Sequence, residues 1–196
     1  MNQTMTTREA IQILLPLVPE EVILIATTGY ISRDVCALKD RPQNFYMIGS
    51  MGLVPAIGLG ITLSQPNKRV VVFDGDGALL MGLGILPMVG SFKPRHFLHV
   101  VFDNESYAST GHQWTHSKNI PLEKLAADCG YDDVTRIHSM TELKETATDF
   151  LKKQGTQFLL IKCTNDKEAL AGEKSASPRI PWTPEEMTNR SKNVLS

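Results

Sequence analysis

Two short polar turns carry the chemistry of this chain: Asp74-Gly75-Asp76-Gly77 and Asp103-Asn104. Each follows an apolar run, Val70-Val71-Val72-Phe73 for the first and Phe97-Leu98-His99-Val100-Val101-Phe102 for the second, and Asn104 stands 28 positions beyond Asp76. Runs of this kind read as buried strands. If the two strands are parallel neighbours, both side chains reach one sheet edge. A carboxylate, an amide oxygen and a loop carbonyl there suit Mg²⁺, a hard cation that takes oxygen ligands in octahedral array and bridges to phosphates. Gly75 and Gly77 let the backbone approach a diphosphate, and a helix opening at Ala78 turns free N–H groups toward it, with Ala78 offering one of them. Gly75-Asp76-Gly77 alone is most often an ordinary turn; a second polar turn that also follows a strand changes the odds.

The surrounding pattern supplies elements able to hold such turns. Thr6-Thr7-Arg8-Glu9 has the form of a capping box, and Ile11, Leu14, Leu15 and Val18 give the helix after it an apolar face. A buried strand is expected over residues 22–26, ending in Thr27-Thr28-Gly29, then a short helix capped by Ser32 and a strand over 45–48. That strand runs into Gly49-Ser50-Met51-Gly52 and a helix rich in small residues. Past the second turn come a loop over 109–119, a helix near 122–129, a strand at 134–137, a helix over 141–153 and a β-rich run over 157–163. Strands alternating with helices predict an α/β, three-layer domain, its mainly parallel sheet covered by helices on both faces and its ligands at the carboxyl ends of the strands. The expected boundaries are one domain over residues 1–172 and a Pro-rich C-terminal arm over 173–196, extended rather than part of the core and able to reach a neighbouring subunit.

Composition narrows the function classes. In 196 residues, 20 basic and 21 acidic side chains leave a net charge of −1, and no long basic run supports nucleic-acid binding. The three cysteines, Cys36, Cys129 and Cys163, form no Cys-x-x-Cys pair, which argues against structural zinc or a disulfide framework and for reduced core residues of a cytoplasmic protein. The polar start reads as neither signal peptide nor anchor, and no apolar run approaches the ~20 residues that cross a bilayer.

Gly75-Asp76-Gly77 with Asn104-Glu105-Ser106-Tyr107 resembles the signature of the thiamine diphosphate-dependent enzymes. The resemblance implies Asp76 and Asn104 as side-chain ligands of Mg²⁺, a carbonyl ligand from Ser106, and Tyr107 beside the cofactor. It implies diphosphate contacts from Thr28 and Gly29, which a simple turn explains as well. Gly49-Ser50-Met51-Gly52 is similar to the segment that bends the cofactor: Met51 is then the wedge between its two rings and the Gly49 carbonyl receives the aminopyrimidine N–H; the lesser alternative is that Met51 is a core residue and the glycines allow helix packing. The family's activating glutamate lies on a separate pyrimidine-binding domain, and no glutamate of this chain has the right context. A second polypeptide, an α subunit, is therefore expected to supply it, making the assembly a hetero-oligomer.

Thr27-Thr28-Gly29, Gly49-Ser50-Met51-Gly52 and Ser109-Thr110-Gly111-His112-Gln113 look like sulfopyruvate decarboxylase β subunits and the C-terminal half of phosphonopyruvate decarboxylases. The implied reaction is decarboxylation of a small anionic 2-oxo acid, 3-sulfopyruvate to sulfoacetaldehyde and CO₂, with the phosphonate acid as alternative. Ser109, Thr110, His112 and Gln113 are the implied substrate residues. His112, titrating near neutrality, either relays a proton or binds the anionic head, or is a solvated loop residue. Many relatives carry Asn-Asn at Asp103-Asn104 and proline where this chain has Trp114. Acetolactate synthase-like carboligation, and a phosphate- or nucleotide-sensing module with no catalysis, remain the competing readings.

Overall fold

The computed structural model describes residues 5–165 and 177–195. Its centre is a six-stranded sheet in the order β2-β1-β3-β4-β8-β7. The strands are β1 (Ile23–Ala26), β2 (Asn44–Tyr46), β3 (Val70–Gly75), β4 (His96–Asp103), β7 (Asp133–Ile137) and β8 (Gly155–Lys162). Every pair is parallel. A small antiparallel pair, β5 (Ser106–Tyr107) and β6 (Gln113–Trp114), stands apart from it.

The inner strands are apolar almost throughout because both faces are covered, as parallel crossovers require. Leu24, Val71, Phe73, Val100 and Leu159 pack in one layer with α1 (Thr7–Leu14), α2 (Tyr30–Leu38) and α7 (Met140–Lys152). Ile25, Val72, Phe97, Val101 and Leu160 pack in the other with α3 (Val54–Ser64), α4 (Asp76–Met81), α5 (Ile85–Phe92) and α6 (Leu122–Asp128). The side-chain period of two along each strand produces this division. The three layers agree with the fold class expected from the sequence.

Two local expectations change. Helix α2 opens at Tyr30 after Gly29 at φ 92°, so Ser32 is not its cap; the Ser32 hydroxyl donates back to the Gly29 carbonyl at 3.3 Å. Helix α4 opens at Asp76 rather than Ala78, which puts the expected metal ligand on the helix's own first turn.

The extended arm is the larger correction. The 172/173 boundary lies outside the described residues, but residues 184–195 form a helix, Pro184–Leu195, docked on the open edge of the sheet. Its buried Met187 joins the first core, while Val194 and Leu195 pack against the second. The Trp182 ring stacks on Tyr46 of β2 at 5.9 Å, and the Tyr46 N–H donates to the Met187 sulfur at 3.5 Å. An edge strand with unpaired backbone groups is thereby covered. Met187→Ala is expected to cost about 2–4 kcal/mol, read as a lower urea midpoint, because a 1 % exposed side chain leaves a cavity spanning helix and sheet.

Candidate active site

Strand order reverses between β1 and β3: the chain leaves β1 for β2 on one side and returns to β3 and β4 on the other. In an open parallel sheet the crevice at the carboxyl ends of such strands is where ligands bind. Gly75 at the end of β3 is in register with Phe102 of β4, so the two polar turns leave the sheet at one level. Between them lies a cavity of about 270 Å³. Thr28, Met51, Gly75, Asp76, Gly77 and Ala78 line it together with Asn104, Ser106, Tyr107, Ser109, Thr110 and His112.

Asp76 is the electrostatic centre. Its side chain is buried, accepting hydrogen bonds from the hydroxyls of Thr115 and, at 3.1 Å, Ser117. Burial pushes the carboxyl up to about 6, the Thr115 hydrogen bond opposes this, and the Asp103 charge adds to it. Asp103 is held in turn by Ser117 at 2.8 Å and by Lys162 at 2.8 Å, and Lys162 also reaches Glu105 at 2.7 Å. Burial works against the Lys162 charge, but its hydrogen bonds to Asp103 and Glu105 outweigh that and hold its pKa above the ordinary value. Asn104 Oδ1 accepts from the Ser106 N–H at 3.1 Å, and Glu105 between them sits at φ 58°.

These donors fit a metal-bound phosphate. A buried carboxylate next to a second carboxylate is costly unless a cation compensates it. Thr27 Oγ1, buried on the cavity wall, has no hydrogen-bond partner among the described residues, an orphan that a polar ligand satisfies. At Gly77 an added Cβ would overlap the Tyr107 ring and lie 3.1 Å from Thr115 Cγ2, so only glycine leaves the backbone this close to both.

Met51 lies on the wall, half-buried, in a strained loop: Ser50 has φ 49° and Gly52 φ 93°. Gly49 and Ser50 are exposed beside it and outside the lining. The loop is set by Gly82, at the end of α4, where a Cβ would overlap the Gly52 carbonyl oxygen. Gly29 also stands just outside the lining, with its would-be Cβ 3.1 Å from Ser109 Oγ. His112, at φ 58°, places Nδ1 3.4 Å from Asn165 Oδ1. Gln113, expected to reach substrate, is exposed and folded onto its own loop: its Nε2 donates to the Thr110 carbonyl at 3.1 Å, and the Thr110 hydroxyl donates to its Oε1 at 3.1 Å. Three of the four non-glycine residues with positive φ among the described residues, Ser50, Glu105 and His112, lie in loops around this cavity, where backbone strain commonly collects.

Residues 28–162 match the family model of the thiamine pyrophosphate enzymes, C-terminal TPP-binding domain. The chain belongs to this family. Its relatives include the sulfopyruvate decarboxylase subunit beta of Methanococcus maripaludis, 34 % identical over 97 % of this chain and 98 % of the relative. The protein of the same name from Methanocaldococcus jannaschii is 40 % identical over 74 % of this chain and 77 % of that one. The phosphonopyruvate decarboxylase of Streptomyces viridochromogenes is 41 % identical over 74 % of this chain but only 36 % of its own length. Among solved structures, a thiamin diphosphate-dependent enzyme from Mycobacterium smegmatis superposes with a TM-score of 0.68 at 18 % identity, covering 84 % of this chain and 33 % of that one, which shows the shared fold. This TPP-binding domain thus spans about a third of that structure.

Sequence reasoning missed Thr115, Ser117 and Lys162, which brace Asp76 and Asp103, and it missed Gly82 and Thr27. Only Thr27 carried a local signal, its place at the carboxyl end of a strand. Among the described residues no helix is long and apolar enough to cross a membrane.

Proposed function

We propose that this chain is the diphosphate- and Mg²⁺-binding half of a thiamine diphosphate-dependent decarboxylase acting on 3-sulfopyruvate, as the β subunit beside an α subunit. The observation that carries the reading is the single cavity at the strand-order reversal where Asp76, Asn104 and Ser106 meet Met51 and Thr28. Asp76 and Asn104 would hold the metal through side-chain oxygens and Ser106 through its carbonyl. Thr27, Thr28, Gly29, Gly77 and Ala78 would surround the diphosphate, and Met51 would be the wedge between the two rings of the cofactor. When bound, thiamine diphosphate supplies the electron sink for loss of CO₂. Tyr107, packed on Gly77, would stand between the cofactor and the loop carrying Ser109, Thr110 and His112. Those residues face the substrate as hydrogen-bond donors, with His112 placed to hold or pass a proton.

Among the described residues no glutamate lines the cavity, which supports a glutamate supplied by the partner. The relatives named as beta subunits support the same division of labour.

The test is calorimetry of the chain with thiamine diphosphate, with and without Mg²⁺, followed by a CO₂-release assay on sulfopyruvate, phosphonopyruvate and pyruvate after mixing with a candidate α chain. Binding that needs Mg²⁺, and turnover only in the mixture with sulfopyruvate preferred, is the expected result. Full turnover by the chain alone overturns the shared site; a coupled C–C product from pyruvate points to carboligation; binding of a nucleotide instead points to a sensing module.

A further inference from the structure

The cavity wall also carries an arginine paired with a buried carboxylate. Arg8, on the first turn of α1, lines the cavity, and among the described residues of that lining it is the one arginine or lysine. Its Nη1 donates to Asp34 Oδ1 at 2.6 Å and to Ser177 Oγ at 2.6 Å, and the Ser177 hydroxyl donates to the same Asp34 oxygen at 2.6 Å. Asp34 and Ser177 are each 6 % exposed, so the anchor is buried while the Arg8 side chain keeps 30 % of its surface open. Nη2 and Nε of Arg8 make no hydrogen bond to a described residue. A guanidinium fixed at one nitrogen and open at the others has already lost much of its rotamer freedom, and its planar fork matches two oxygens of an oxyanion.

We propose that Arg8 is an oxyanion-binding residue of this cavity, offering Nη2 and Nε to a phosphate or sulfonate group. The inference rests on the reading that the cavity holds thiamine diphosphate. Two groups present that chemistry, the terminal phosphate of the cofactor and the anionic head of the substrate. The Arg8–Asp34 pair neutralises itself, so the contact adds hydrogen bonds and direction rather than net charge. Ser177 ties the chain segment leading into the C-terminal helix to the same anchor, so the wall is assembled from α1, α2 and that segment together.

The experiment uses the full chain with Mg²⁺, as wild type, Arg8→Gln and the double variant Arg8→Gln/Asp34→Asn, which leaves no buried carboxylate unpaired if the single variant folds poorly. Calorimetry compares thiamine diphosphate with thiamine monophosphate; the assay with the α chain compares sulfopyruvate with pyruvate. If the cofactor phosphate is the ligand, the variants lose about tenfold in affinity for the diphosphate and little for the monophosphate. If the substrate head is the ligand, cofactor affinity holds while KM for sulfopyruvate rises about tenfold and that for pyruvate does not. Folded variants, judged by circular dichroism, with all four values unchanged overturn the proposal and leave the cofactor site intact. A wild-type chain that fails to bind thiamine diphosphate with Mg²⁺ overturns the underlying reading as well.

Discussion

Asp76→Asn is expected to make the ligand-free chain more stable at pH 7 while weakening Mg²⁺-dependent binding of thiamine diphosphate by about two orders of magnitude or more, since on the proposed reading the variant would lose an anionic ligand of a buried cation. The stability gain follows from the raised carboxyl. With a pKa of about 6 in the fold against an ordinary 3.8, Asp76 binds its proton more tightly folded than unfolded. Its contribution to stability is therefore fully present below about pH 4 and is lost as pH rises through about 6. The gap corresponds to roughly 3 kcal/mol at pH 7. Asparagine keeps an oxygen for the Thr115 and Ser117 hydroxyls and carries no charge, so the variant escapes that loss. Urea midpoints of metal-free protein measured from pH 4 to pH 8 check this: the two chains should converge near pH 4 and separate above pH 6. Equal midpoints across the range would show that Asp76 is ionised at little cost.

Gly82→Ala is expected to lower turnover of the reconstituted enzyme by about a hundredfold, a scale typical of displacing a positioned group by an ångström. A Cβ at Gly82 overlaps the Gly52 carbonyl oxygen and comes within 3.0 Å of its carbon, and both are backbone atoms that no side-chain rotation can clear. Gly52 itself is held at φ 93°. The strain must move the loop carrying Met51, or the end of α4, and the fold should lose about 1–3 kcal/mol. Kinetics with the α chain, together with urea denaturation, separate the outcomes. Normal turnover in a destabilised variant would mean that the loop, and Met51 with it, does not have to stay where Gly82 sets it.

The C-terminal helix shows how a real signal can be misread. Thr183-Pro184-Glu185-Glu186 is a capping box with proline at the first helical position: the Thr183 N–H donates to the Glu186 carboxylate at 2.7 Å and the Glu186 N–H to Thr183 Oγ1 at 3.2 Å. Counting prolines as breakers concealed a start signal. Met187 and Trp182 were then the apolar anchors of a docking helix rather than scattered residues of an arm.

The chain's own order of residues determined the parts whose physics is local. Apolar runs of strand length named the buried strands, glycines beside an acid named a turn that a phosphate can approach, and an acid and an amide just beyond two strand ends named one possible cation site. Tertiary structure alone decided how these parts meet. Thr115 and Ser117 act on Asp76 from 39 and 41 positions away, Gly82 fixes a loop through a backbone contact with Gly52, and Arg8 reaches the cavity from the first helix, pinned by Ser177 near the other end of the chain. Such contacts depend on strand order and helix packing, which arise from burial summed over the whole sheet, and no spacing along a single sequence records which strand lies beside which.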